Sequence, residues 1–254
     1  MKRPAASGYR GDLAAIHDDG FGGVAREAAA FLRANLHRRG MTHGTIVDLG
    51  CGSGILAREM TDAGYDVLGI DLSSAMLALA RRRAPAARFR RASLLDAKLP
   101  ACVAVTAIGE CVNYLFDVGN SVNARRALFR RVHQALIPGG LFLFDAAGPG
   151  RVTGPAPYRV HTQGDGWAVL MVADEDPRRG LLTRRITTFR RTGKLYRRTE
   201  EVHCLRLVPR AAIEGQLGDV GFRVRALGTY GSTPFLPGVT GYLAEKLRER
   251  KAAK

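Results

Sequence analysis

A chain of 254 residues, 46% of them hydrophobic, is long enough to bury a sizeable core, and its composition is that of a globular protein rather than a disordered or fibrous one. It has no run of the roughly 18 apolar residues that a spanning helix needs, no apolar leader in the opening MKRPAASGYRGDL, and neither a C-x-x-C pair nor metal-ligand spacing with histidine among its four cysteines, so a cytoplasmic protein without membrane association or a metal is expected. The formal charge of +16 would suit an anionic partner, nucleic acid included, but it comes from arginine pairs scattered along the chain (Arg38-Arg39, Arg125-Arg126, Arg197-Arg198), the pattern of a solvated surface, so nucleic acid is not favoured.

Residues 1–11 read as an arm ending in Tyr9-Arg10-Gly11, followed by a short helix or turn over Asp12–Asp19 and a break at Gly20–Gly23. Val24, Ala28, Phe31, Leu32 and Leu36 have helical spacing, and Gly40 stops that helix. The stretch Thr45–Met60 then organises the rest. Thr45-Ile46-Val47 is strand-like, the glycines from Gly50 to Gly54 allow a sharp turn and close approach to a ligand, and the helix that follows opens with free N–H groups. Further strands are predicted at Tyr65–Ile70, Ala87–Ala92, Ala101–Ile108 and Leu141–Phe144, with helices over Ile55–Ala63, Ser73–Arg83 and Asn123–Leu136 between them. Pro138-Gly139-Gly140 closes the last of these helices. Such alternation predicts an α/β fold with a doubly wound, mostly parallel sheet.

Helical periodicity is absent from Tyr158 to Leu207. Strands are expected at Trp167–Ala173, Leu181–Arg191 and Lys194–Leu207, turning at Asp176-Pro177 and Thr192-Gly193, with Trp167 in the core of this antiparallel insertion. A helix over Pro209–Val220, strands at Phe222–Thr229 and Gly241–Glu245, and a basic tail close the chain. One domain is expected, with an N-terminal segment (1–40), a core (45–145), the insertion (146–208), a closing unit (209–245) and the tail (246–254).

Ligands of open α/β sheets sit outside the carboxyl ends of the strands. The Gly50–Gly54 loop, Asp71 after the second strand and Ser93–Asp96 after the third collect there. A carboxylate about 20 residues beyond a glycine loop can accept both hydroxyl protons of a ribose. Gly52-Ser53-Gly54-Ile55-Leu56-Ala57 also satisfies a permissive dinucleotide pattern. Asp48, two residues before the first glycine, would repel a pyrophosphate but attract an ammonium or sulfonium.

Taken together, VDLGCGSG, GIDLSSAML and LIPGGLFLFD resemble the successive motifs of class I S-adenosylmethionine-dependent methyltransferases, over residues 45–145. The resemblance implies a seven-stranded Rossmann-like sheet with a reversed last strand, and S-adenosylmethionine as cofactor. By position, Gly50, Gly52 and Gly54 would line its methionine part, with Asp48 organising the amino group. Asp71 would hold the ribose, and Leu72 and Met76 would pack on the adenine. Many members carry an acid after the third strand; here Ser93 followed by Leu94 stands there, with Asp96 as the fallback. Glu110 would reach the methionine end or the acceptor.

The same resemblance bears on the acceptor. Methyltransferases of base exocyclic amines resemble one another in an Asn/Asp-Pro-Pro-aromatic motif, which this chain replaces by Gly109-Glu110-Cys111-Val112-Asn113-Tyr114. Cys111 lacks the Pro-Cys context of a cytosine-attacking nucleophile and reads as a buried thiol. Tyr9–Phe21 and the insertion resemble the lid and acceptor pocket of small-molecule members, amino-sugar N-methyltransferases among them. Tyr9 would then meet the cofactor, His17 could close over it, and Glu110, Tyr114 and His203 are the catalytic candidates. Arg197, Thr199, Glu201 and His203 alternate onto one strand face, where Glu201 and His203 could position or deprotonate an acceptor. The expectation is methyl transfer to nitrogen or oxygen of a small molecule, anionic if the charge is functional. The alternatives are an RNA methyltransferase, a nicotinamide-dependent oxidoreductase and a non-catalytic cofactor-binding protein.

Overall fold

Apolar runs alternating with amphipathic segments assemble a sheet between helices. The computed structural model describes residues 8–154 and 157–248. In chain order its elements are α1 (Gly11–Gly20), α2 (Gly23–His37), β1 (Thr45–Leu49), α3 (Ile55–Asp62), β2 (Asp66–Asp71), α4 (Ser74–Arg83), β3 (Arg88–Arg91) and β4 (Cys102–Ala107). They continue as α5 (Val122–Ala135), β5 (Leu136–Ala147), β6 (Tyr158–Gly164), β7 (Trp167–Asp176), β8 (Leu181–Thr192), β9 (Leu195–Arg206), α6 (Arg210–Val220), β10 (Phe222–Leu227) and β11 (Val239–Lys246).

Seven strands form one sheet in the order β10-β11-β5-β4-β1-β2-β3. All run parallel except β11, which is antiparallel to both β5 and β10, so the last strand is the reversed one. Leu128, Phe129 and Val132 of α5 and Ile213 and Leu217 of α6 cover one face; Leu32 and Leu36 of α2 and Leu56 and Met60 of α3 cover the other. Coverage on both sides explains why every residue of β4 is buried. The chain winds from β1 outward to β3 and returns on the other side of β1 with β4, which opens a crevice at the carboxyl ends of β1 and β4.

Two elements depart from the sequence expectation. Strand β5 begins at Leu136 and takes in Pro138-Gly139-Gly140, read above as a helix stop. The irregular register between the Cys102 and Ala104 pairings with β4 accommodates those residues. Strand β6 has no counterpart in the sequence expectation, because all seven of its residues are exposed and leave no alternating pattern. It forms the edge of a second, antiparallel sheet in the order β6-β7-β8-β9. Trp167, Val169 and Ile186 on the inner face of this sheet pack on Leu13 and Ile16 of α1. The turns at Asp176-Pro177 and Thr192-Gly193 fall where expected. Residues 1–7 of the arm and 249–254 of the tail lie outside the described residues. Among the described residues no helix is long and apolar enough to cross a membrane.

Candidate active site

The turn after β1 is tied to the end of β2, where Gly50 and Cys51 N–H donate to the Ile70 carbonyl at 2.7 and 3.1 Å. Gly50 is left-handed (φ 69°), and a Cβ there would lie 2.4 Å from Cys111 Sγ, so glycine is required. Asp71 accepts Gly52 N–H at 2.9 Å and Ser73 N–H at 2.7 Å, which locks the turn against the start of α4. Burial raises the Asp71 pKa, and the N–H groups of Ser73 and Gly52 oppose that rise. A cavity opens at this point, lined by Gly50, Gly52, Asp71, Leu72, Met76 and Leu94.

Three glycine-region and third-strand candidates do not line the cavity. Gly54 instead lets α3 approach α4, since its Cβ would meet Ala80 Cα at 3.0 Å. Asp48 lies within the sheet and accepts from Thr106 Oγ1 of β4 at 2.7 Å. Burial pushes its pKa up to about 7, against the Thr106 hydrogen bond, with the Asp71 charge adding to the rise. The Ser93 hydroxyl donates to Asp117 at 2.5 Å and accepts Leu95 N–H at 2.9 Å, so it is spent on its own loop.

The N-terminal segment closes the cavity. Tyr9 is left-handed (φ 56°) and lines it together with His17, Tyr114 and Phe116. Both carboxylate oxygens of Glu201 accept backbone N–H groups, from Tyr9 and Arg10, at 2.8 Å each. Ser73 Oγ donates to the Tyr9 carbonyl at 2.8 Å, and the Tyr9 and Tyr114 hydroxyls are 3.0 Å apart. Asp12 of α1 pairs with Arg197 (2.6 Å) and Arg190 (3.3 Å) of the insertion, while Asp18 pairs with Arg83 of α4. His17 is neutral at pH 7, because burial lowers its pKa to about 4, and its Nδ1 has no hydrogen-bond partner among the described residues.

Glu201 and His203 face inward, on the strand face expected of them. His203 Nε2 lies 2.9 Å from Glu201 Oε2, and its ring centroid is 4.9 Å from that of Tyr9 and 5.7 Å from that of Tyr114. It therefore backs the aromatic lining instead of forming it.

Glu110 departs from its expected place at the methionine end or the acceptor. Its backbone is left-handed (φ 59°), with its N–H and that of Gly109 held by Asp145 at 2.5 and 2.9 Å. The side chain turns into an ion-paired triad, with Arg184 at 2.6 and 3.1 Å and Arg151 at 2.9 Å, and does not line the cavity. Burial opposes its charge, but the Arg184 and Arg151 guanidiniums hold the carboxyl below its ordinary range. A carboxylate held this way is a weak base, so Glu110 is a structural ion in this site.

Comparison with known proteins adds the family. Residues 46–140 match the family model described as a methyltransferase domain. This chain carries a methyltransferase domain of the S-adenosylmethionine-dependent kind. A candidate methyltransferase of Bacillus subtilis (strain 168), YqeM, is 25% identical to it over 194 residues, 71% of this chain and 74% of that protein. The dTDP-3-amino-3,6-dideoxy-alpha-D-glucopyranose N,N-dimethyltransferase of Streptomyces fradiae is 34% identical over 94 residues, which span 36% of this chain and 37% of that enzyme. The solved structure of an amino pentose methyltransferase of calicheamicin biosynthesis from Micromonospora echinaspora shares the fold. Its TM-score is 0.73 at 21% identity, covering 97% of this chain and 99% of that one.

The methyltransferase cavity is compatible with its cofactor. A Cβ on Gly52 would meet nothing within 4 Å, the Asp71 carboxylate borders the space, and Leu72, Met76 and Leu94 supply an apolar wall. Sequence reasoning missed Phe116 as a lining residue, Asp145 as the anchor of the 109–110 turn, and the Arg151 and Arg184 partners of Glu110. Only Asp145 had a readable signal, a carboxylate ending an apolar strand. Cys111 lines the cavity, but its thiol is pushed far up by burial, then by Asp145 and Asp71, which keeps it protonated and unreactive.

Proposed function

We propose that this methyltransferase methylates an amine nitrogen of a small, sugar-like acceptor. The observation that carries the reading is the closure of the cavity by Tyr9, clasped from the insertion by Glu201 and from the N-cap of α4 by Ser73. A chamber roofed in this way takes a small molecule and excludes a polynucleotide. In this reading the whole chain is one domain, in which residues 45–145 hold the methyl donor, and residues 8–21 and 146–208 shape the acceptor side.

The cofactor supplies an electrophilic methyl carbon on a sulfonium. Gly50 and Gly52 border its methionine part, Asp71 accepts from the ribose hydroxyls, and Leu72, Met76 and Leu94 flank the adenine. Asp48 acts from within the sheet by its charge, without contact. The faces of Tyr9, Tyr114 and Phe116 favour a cationic group between them, and water exclusion strengthens each polar contact. His17 lines the chamber neutral and with Nδ1 unpartnered, so it is placed to hydrogen-bond the acceptor rather than to carry its proton. His203 and Glu201 hold the aromatic wall. The amino-sugar N,N-dimethyltransferase and the amino pentose methyltransferase among the similar proteins support an amino sugar as the acceptor.

Asp71→Ala is expected to weaken S-adenosylmethionine binding tenfold or more, about 1.4 kcal/mol; unchanged affinity in calorimetry would remove the ribose assignment. The acceptor is tested by incubating the protein and labelled cofactor with amino-sugar nucleotides, their hydroxyl counterparts and short RNAs. Label is expected on the amino sugars. Label only on the hydroxyl compounds or only on RNA would overturn the proposal.

A further inference from the structure

On the far side of α5 from the sheet core, a polar groove separates α5 from α6. It is lined by Arg126, Arg130, His133 and Gln134 of α5, and by Gln216, Asp219 and Val220 of α6, and it shares no residue with the methyl-donor cavity. Arg126, Arg130 and His133 follow the spacing that sets side chains along one helix face. Behind the groove lies Arg125, only 2% exposed. Its Nε donates to Gln216 Oε1 at 3.0 Å, and its Nη1 has no partner among the described residues. Neither it nor Arg126 or Arg130 forms an ion pair with a described carboxylate.

A buried guanidinium without a counter-ion is costly, and Arg206 and Arg126 add like charge beside it. Arg125 also orients Gln216. With Oε1 committed to Arg125, the amide NH2 is the end of Gln216 left for the groove. The groove therefore offers donors from Gln216, Arg126, Arg130 and His133, backed by a buried positive charge. The one carboxylate in its lining is Asp219.

We propose that the α5–α6 groove is an anion site of the methyltransferase, separate from the reaction centre, that takes the phosphate group of a small phosphorylated molecule. Two arginines one helical turn apart can fork onto the oxygens of one phosphate. Asp219 on the facing helix interrupts the continuous basic track that an RNA backbone requires.

The test uses the full chain with inorganic phosphate as probe and sodium chloride at matched ionic strength as control. Phosphate is expected to raise the melting temperature saturably, beyond the chloride effect, because a ligand of the folded state stabilises it. Arg126 and Arg130 are exposed, so R126Q/R130Q is expected to fold normally and to weaken phosphate binding at least tenfold in calorimetry. Asp219→Asn should tighten it, the opposite sign. Competition by a sugar phosphate and by a nucleoside diphosphate, read by its loss in R126Q/R130Q, tells which molecule carries the phosphate. Equal responses to phosphate and chloride, or wild-type affinity in R126Q/R130Q, would overturn the site. So would binding of a ten-nucleotide RNA with a steep salt dependence where phosphate itself does not bind.

Discussion

Glu110→Gln is expected to destabilise the fold by about 3–5 kcal/mol, because removing one partner of a buried ion pair leaves the other charge uncompensated. Here the loss is doubled in kind, since Arg184 and Arg151 both depend on this single carboxylate. Both guanidiniums are well buried, with side-chain exposures of 12% and 8%, so water does little to replace it. The pH dependence has a definite sign. A carboxyl held below its ordinary range contributes stability that is present above the unfolded pKa near 4.5 and is lost as pH falls through the folded value. Wild type and Glu110→Gln should therefore differ most at neutral pH and converge in acid. Denaturant unfolding at pH 7 and at pH 3.5 measures both. A difference under about 1 kcal/mol at pH 7, the size typical of exposed pairs, would show that the triad is effectively solvated.

Asp48→Asn has the opposite expected effect. Raising a carboxyl from about 3.8 to about 7 corresponds to roughly 4 kcal/mol. For a raised pKa, the stability is present below the unfolded value and lost as pH rises through the folded one. Ionised Asp48 thus weighs on the ligand-free chain above pH 7, and asparagine, which keeps an oxygen for the Thr106 hydroxyl, removes that burden. The variant should be more stable than wild type by about 2–4 kcal/mol at pH 8, with little difference at pH 4. Some loss with rising pH should remain in the variant, because burial also lifts Asp145 to about 6. Parallel stability–pH curves for the two proteins would refute the Asp48 assignment. A cationic methionine or sulfonium group would relieve the same strain, so the variant is also expected to gain less stability from the cofactor than wild type does.

The cavity at the carboxyl ends of β1 and β2 was largely legible because its geometry is local. A strand, a glycine turn and a carboxylate some twenty residues on are set by backbone geometry, and Gly50, Gly52, Asp71, Leu72 and Met76 stand together around the cavity. Legibility failed where a side chain's fate depends on distant partners. Glu110 reads as a site acid until Arg184, 74 positions away, and Arg151, 41 away, are brought against it. Gly54 fits the cofactor motif yet serves the packing of α3 on α4, a distinction that spacing alone does not carry. Strand β6 escaped for a third reason, because an edge with neither face covered leaves no hydrophobic period to read. The face of Glu201 and His203 was readable from alternation, but the grip of Glu201 on the Tyr9 backbone was not.

Helix α1 is fastened at one end to the insertion through Asp12 and at the other to the parallel core through Asp18. Its apolar side is buried against the inner face of the second sheet, where Leu13 and Ile16 meet Trp167, Val169 and Ile186. The transplantable unit is therefore discontinuous in sequence. A graft intended to exchange acceptor preference between relatives must carry residues 9–20 together with 158–206, because the insertion alone would arrive with an unmatched apolar face and without the roof it was shaped to hold.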